Sequence, residues 1–188
     1  RSTWTICTKS LISKINKKTK AIIVVHLYGH PCNMSEILKI SKKYKLFLVE
    51  DAAPALGATY KNKLIGTFGI ASAFSFQGAK LVVSGEGGII LTSNKILNEK
   101  IKKLAAHGRG GNGKKGTFWI DEIGYKYSMS NIQAALCLAQ FERLEELVKK
   151  RRKNFGWYEE ILGKNDKIIL NKEKKNSKSI YWMTSIFL

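Results

Sequence analysis

The sequence predicts an α/β protein built on a mainly parallel sheet, and three observations carry that prediction. Residues 21–28 (AIIVVHLY) form a continuous, β-branched apolar run that suits a strand buried on both faces. Residues 33–44 place Ile37, Leu38 and Ile40 at helical spacing behind Asn33 and Glu36, a pairing that resembles a capping box. Residues 46–49 supply a second short strand, which ends at Glu50 and Asp51. Strand, helix and strand in about thirty residues make a βαβ unit, which requires parallel pairing.

The remaining elements follow in order. Gly29, His30 and Pro31 break the first strand. Residues 70–76 and 88–91 read as strands, with Lys80 and the turn Ser84-Gly85-Glu86-Gly87 between them. Residues 94–106 read as a helix, and 107–116 (HGRGGNGKKG), half glycine, as a loop. Ser130 with Gln133 is a second capping box. It opens a helix predicted to run through Lys153, with Ile132, Leu136, Ala139, Leu144 and Leu147 on one face. The basic run 149–153 then falls at the helix end, where cations suit the dipole. Beyond Gly163 the chain is rich in Lys and Asn and ends in a strand-like run, 179–188 (SIYWMTSIFL). A boundary near 155–165 divides a first domain, 1–155, from a linker and the start of a second, 156–188.

Composition narrows the class. The 188 residues are 44% hydrophobic, enough for a sizeable core and too apolar for wholesale disorder. Apolar runs such as 21–25 and 89–91 are far shorter than a membrane span. The chain begins at Arg1 with no charged-then-apolar leader, which predicts a soluble, cytoplasmic protein. Three cysteines (Cys7, Cys32, Cys137) without a Cys-x-x-Cys argue against a disulfide framework or a zinc site. The histidines, His26, His30 and His107, are scattered, so no metal site is expected. The 33 Lys and Arg outnumber 14 Asp and Glu, for a formal charge of +19 that invites a nucleic-acid reading. The cations are spread among Asn and Ile instead of forming one tract, and drift of composition is the preferred account.

In parallel α/β sheets, chemistry collects at the carboxyl ends of strands. Asp51 closes one strand. Lys80 lies just past another, flanked by Ala79 and Leu81 instead of by other charges. A carboxylate and a sheltered lysine in such a crevice suit Schiff-base chemistry, because desolvation frees the amine as a nucleophile. Taken alone, the two residues narrowly favour a plainer reading: a surface lysine and a helix-capping aspartate.

A longer pattern shifts that balance. VHLYGHP (25–31), LVEDAAPALGATYKNKLIGTFG (48–69), FSFQGAKLVVSGEGG (74–88), HG (107–108) and IGYKYSMSNIQAALCLAQFERL (123–144) resemble the DegT family of sugar aminotransferases. The likeness is strongest to the perosamine-synthase branch, which aminates C4 of a nucleotide-linked 4-keto-6-deoxy sugar. It extends over roughly residues 20–160 in several separated blocks. It implies a three-layer type I (aspartate-aminotransferase-like) fold with a mainly parallel sheet, lacking the N-terminal part of the large domain and most of the small one. It also implies a pyridoxal-phosphate enzyme, homodimeric, with the active site at the interface and glutamate as amino donor. Lys80 would carry the internal aldimine and then move the proton. Asp51 would pair with the pyridine nitrogen, and Ser75 would donate its hydroxyl to the phosphate. Relatives that remove a hydroxyl carry His in place of this lysine, so Lys80 implies amino transfer.

Four positions depart from the family pattern. Pro54 stands where a hydrogen-bonding side chain is common. Lys126 replaces the Asn that reaches a partner's cofactor phosphate, and could still offer a cation there. Ser128 replaces Arg, and Asn33 replaces Asp. Elsewhere the plain readings lead: His26 and His30 as packed, hydrogen-bonded residues, and Phe118 and Trp119 as packing. His107 is balanced between facing substrate and no such role, and Arg109, Lys114 and Lys115 read as a solvated loop. Two other functions stay open: a nucleic-acid binder using 109–115 and 149–153, and a non-catalytic regulator that keeps the aminotransferase fold.

Overall fold

Period-two alternation in the first strand sets the layering of the molecule. In β1 (Ala21–Val25) Ile22 and Val24 are buried, whereas Ile23 and Val25 are 65% and 38% exposed. The prediction of a strand buried on both faces is thus corrected. One face meets the core and the other is open in this chain. The strand also stops earlier than predicted. His26 turns its ring inward, and Tyr28 and Gly29 adopt left-handed backbone angles (φ 56° and 85°) in a short 3-10 turn.

The structure is a computed structural model that describes residues 4–109 and 120–188. Helix α1 (Thr8–Lys14) precedes β1, and α2 (Met34–Tyr44) and β2 (Phe47–Asp51) complete the βαβ unit. β1 and β2 pair in parallel, with Ala21 opposite Phe47 and Val25 opposite Asp51. A small hairpin, β3 (Thr59–Tyr60) and β4 (Lys63–Leu64), leads to β5 (Ala71–Ser75). β5 is parallel to β2, with Asp51 opposite Ala73, and β6 (Gly88–Leu91) returns antiparallel to β5. The sheet order is β1-β2-β5-β6, mainly parallel as the sequence predicts.

Helix α2 forms because Met34, Ile37 and Ile40 share one stripe, which packs with Ile22, Val24 and Leu48 in the main core. Asn33 caps it by accepting from the Glu36 amide at 3.3 Å. The reciprocal half of a capping box is absent, because the Glu36 carboxylate accepts instead from Thr8 Oγ1 at 2.6 Å and ties α1 to α2. Asn94 caps α3 (Lys95–Ala105) through the Leu97 amide. Ser130 and Gln133 form a complete box at α4 (Asn131–Phe141).

The long helix predicted from Ser130 to Lys153 is two helices. Arg143 leaves helical geometry (φ −100°, ψ 12°), and α5 starts afresh as Leu144–Leu162. The break separates two faces: Leu144, Leu147 and Val148 pack on the core, whereas Ile132, Leu136, Leu138 and Phe141 stay exposed. The run 149–153 therefore sits inside α5 and not at its end, which overturns the dipole reading. Lys150 pairs with Glu146 at 2.6 Å. Arg152 reaches Glu173 and the Ser179 carbonyl, both at 2.5 Å.

After α5 come β7 (Ile169–Leu170), β8 (Ser177–Lys178), which pairs with β3, and β9 (Ile186–Phe187), which pairs with β7. The strand predicted over 179–188 is limited to β9. Tyr181 has a left-handed φ of 48° that no strand accommodates, and its ring stacks on Phe155 with centroids 3.7 Å apart. These two residues and Leu170 make a second, small core. Among the described residues no helix is long and apolar enough to cross a membrane.

Candidate active site

Strand parity decides which side chains share a surface. Glu50 and Leu48 face the core, so Asp51 joins Val49 on the opposite, open face of β2. In β5, Ser72 and Phe74 are buried, and Ser75 joins Ala73 on that same open face. Because Asp51 is opposite Ala73, Asp51 and Ser75 stand close to the carboxyl edge of neighbouring strands. Asp51 Oδ1 accepts from the Ala53 amide at 3.1 Å, and Oδ2 has no hydrogen-bond partner among the described residues. Ser75 Oγ accepts from the Gln77 amide at 3.3 Å, and its own proton is donated to no described residue.

Lys80 follows in a tight turn. Its amide donates to the Gln77 carbonyl at 2.9 Å, and the Gln77 side chain accepts from the Ala79 amide at 2.9 Å. The side chain is half-buried and makes no ion pair among the described residues. Its Nζ lies 4.2 Å from the centre of the Trp182 ring, and Trp182 Nε1 donates to the Ala79 carbonyl at 2.7 Å. The glycine turn that follows holds this segment from below. Phe76 donates to the Gly87 carbonyl, Ser84 donates to that of Phe76, and the Ser84 hydroxyl bonds the Glu86 carbonyl.

Beneath Asp51 lies a feature the sequence reading missed. Glu50 is fully enclosed and accepts from the amides of Gly66 (2.8 Å), Phe68 (2.6 Å) and Gly69 (2.7 Å). His26, also enclosed, lies 3.3 Å away through Nε2. Its Nδ1 accepts from the Cys32 amide, so the ring proton sits on Nε2 and points at the carboxylate. Burial pushes the Glu50 carboxyl up, but the hydrogen bonds from His26 and the three amides outweigh it, and its pKa is lowered. The signal was present: a carboxylate at a core-facing position of an apolar strand needs partners.

The other candidates sort themselves out. His30 is buried, donating from Nδ1 to the Pro31 carbonyl and accepting at Nε2 from the Lys174 amide. Burial lowers its pKa. The plain reading of both histidines holds. Lys126 is exposed, in a single bridge to Ala106, and no hydrogen bond or ion pair joins it to Asp51, Ser75 or Lys80. Pro54 is buried, and its carbonyl backs onto Gly29. Ser128 is exposed, and Asn33 caps α2. Lys114, Lys115, Phe118 and Trp119 lie outside the described residues. The described residues contain no cluster of His, Cys, Asp and Glu fit to hold a metal.

All 188 residues match the DegT/DnrJ/EryC1/StrS aminotransferase family. The chain belongs to this family. It is 40% identical over 184 residues to the GDP-perosamine synthase of Escherichia coli O157:H7, covering 98% of this chain and 49% of that protein. It is 37% identical over 187 residues to the GDP-perosamine synthase of Caulobacter vibrioides, covering 99% and 50%. Helicobacter pylori PseC, an aminotransferase involved in the biosynthesis of pseudoaminic acid, has a TM-score of 0.92 at 31% identity, covering 99% of this chain and 50% of that one. The E. coli GDP-4-keto-6-deoxy-D-mannose-3-dehydratase with bound hydrated PLP has a TM-score of 0.89 at 27% identity, covering 98% and 51%. The chain spans about half the length of the curated relatives it matches. The fold is thus the pyridoxal-phosphate aminotransferase fold, and pyridoxal phosphate is the family's cofactor.

The residues at the strand ends fit that cofactor chemically. An aspartate with one carboxylate oxygen unbonded can accept from a protonated ring nitrogen. A serine hydroxyl with its proton unspent can donate to a phosphate. A half-buried lysine with no ion pair among the described residues can meet an aldehyde.

Proposed function

We propose that the protein transfers an amino group, with glutamate as donor, to the 4-keto carbon of a nucleotide-linked 4-keto-6-deoxy sugar, using pyridoxal phosphate held at Lys80. The observation that carries this reading is the pair Asp51 and Ser75 on one sheet face at the strand ends, with Lys80 in the turn that follows. Similarity to GDP-perosamine synthases along nearly the whole chain supports the choice of sugar class.

When bound, pyridoxal phosphate supplies an electron-withdrawing ring that lets nitrogen pass between two carbonyl partners. Lys80 would hold the cofactor's aldehyde through its amine and would serve as the acid and base that moves the proton at the substrate carbon. Asp51 would accept a hydrogen bond from the protonated ring nitrogen and so keep that nitrogen charged. Ser75 would donate its hydroxyl to the phosphate. Lys126 would offer its cation to a partner subunit's cofactor phosphate, in a homodimer with the active site at the interface. The exposed apolar residues of α4 support such an interface. In this reading 1–155 is the cofactor-binding large domain, 156–188 is a linker and the onset of the small domain, and the protein works in the cytoplasm.

The test mixes the purified full-length protein with pyridoxal phosphate, glutamate and a nucleotide-linked 4-keto-6-deoxyhexose. The expected result is a glutamate-dependent amino sugar and a visible cofactor band that Lys80→Ala abolishes. A band that survives in Lys80→Ala overturns the assignment of the lysine.

A further inference from the structure

We propose that Trp182 is the positioning residue for Lys80. By one hydrogen bond it holds the turn that carries the lysine, and by one ring face it holds the lysine's amine. The inference rests on the role given to Lys80 above.

The two contacts differ in kind and converge on one short segment. The indole N–H donates to the Ala79 carbonyl at 2.7 Å across a sequence separation of 103 residues. That bond fixes the backbone immediately before the lysine. The face of the same ring meets Lys80 Nζ at 4.2 Å from its centre, inside the range where a cation is attracted to an indole. No ion pair competes for that amine among the described residues. A lysine on a four-carbon stem otherwise spreads over many rotamers, and the ring selects one region for the amine.

The three residues before Trp182 are anchored in turn. The Ser179 hydroxyl (3.0 Å) and the Ile180 amide (3.2 Å) both donate to the Gly29 carbonyl in the 3-10 turn after β1. Gly29 has φ +85°, and a Cβ there would lie 2.6 Å from Ile180 Cγ1 and 2.9 Å from the Trp182 amide. Only glycine lets the segment come this close. The Tyr181 amide donates to Ser179 Oγ, and the Tyr181 ring stacks on Phe155 of α5. The chain beyond α5 thus packs on the turn after β1, and this anchored backbone carries Trp182 to the lysine turn.

The experiment uses the full-length protein and three substitutions. Trp182→Phe keeps an aromatic face and loses the N–H donor, Trp182→Leu loses both, and Lys80→Met loses the amine. The emission lost on Trp182→Phe, measured in the wild-type and again in the Lys80→Met background, isolates that of Trp182 from the other tryptophans. This component is expected to change in intensity or wavelength in Lys80→Met. Identical Trp182 emission with and without the amine overturns the proposal, whatever the protein catalyses. In the second arm, pyridoxal phosphate captured on Lys80 is trapped with borohydride and located by peptide mass. Trapping is expected to slow about threefold to tenfold in Trp182→Phe, the effect of one lost hydrogen bond, and further in Trp182→Leu. Trapping at the wild-type rate in Trp182→Leu also overturns the proposal. If wild-type protein captures nothing on Lys80, the cofactor reading fails instead, and the fluorescence arm still decides the contact.

Discussion

His26 and Glu50 form a closed pair inside the core, with Nε2 and Oε2 3.3 Å apart and no exposed surface on either side chain. The carboxylate also gathers the amides of Gly66, Phe68 and Gly69, so one buried charge organises the loop that leads into β5. Asp51 is its neighbour on the other face. The site thus rests on an anion it does not use.

Glu50→Gln keeps the shape but replaces one acceptor oxygen with an amide donor, leaving backbone N–H groups unpaired. The expected loss is about 2–4 kcal/mol, read by urea denaturation at pH 7 with an unchanged slope. Because the native pKa of Glu50 is lowered, its contribution is present above the unfolded glutamate value of about 4.3 and is lost as pH falls through the native value. The difference between wild type and Glu50→Gln should therefore shrink on acidification. A constant difference from pH 7 to acid would show that the charge is irrelevant.

Asp51→Asn removes the charge proposed to face the ring nitrogen and leaves the Ala53 bond available to the amide oxygen. Amination should slow about 10-fold to 100-fold, the effect of one charge-assisted hydrogen bond, with melting temperature nearly unchanged. Steady-state assays of the full-length protein check this. Equal turnover would remove Asp51 from the site.

Gly29→Ala forces a side chain into a left-handed position already filled by Ile180 and the Trp182 amide. The expected cost is about 2–4 kcal/mol from strain and overpacking together. Thermal unfolding measures it, and wild-type stability would mean that the C-terminal segment yields without cost.

Arg152 links α5 to Glu173 and to the Ser179 carbonyl, with roughly 30% of each charged side chain exposed (31% and 27%). A double-mutant cycle of Arg152→Met and Glu173→Gln should give a coupling of about 1–2 kcal/mol, reduced at high salt. Zero coupling would assign the contact to the surface, where such pairs contribute little.

Short-range signals in the sequence determined a good part of this protein. Branched runs located β2, β5 and β6 to within a residue or two, and Asn33, Asn94 and Ser130 marked three helix starts. These features depend on neighbours a few residues apart, and the chain carries that information locally. Ser75 was legible only through the blocks that resemble the family, and the register of β2 with β5 is what sets it on the same face as Asp51. Tertiary structure alone decided that β1 is covered on one side, that the helix breaks at Arg143, and that 149–153 lies inside α5. It alone enclosed Glu50 with His26, and it alone brought Trp182 to Lys80. Each of these depends on which distant surface a side chain meets, and no local periodicity records a contact between segments a hundred residues apart.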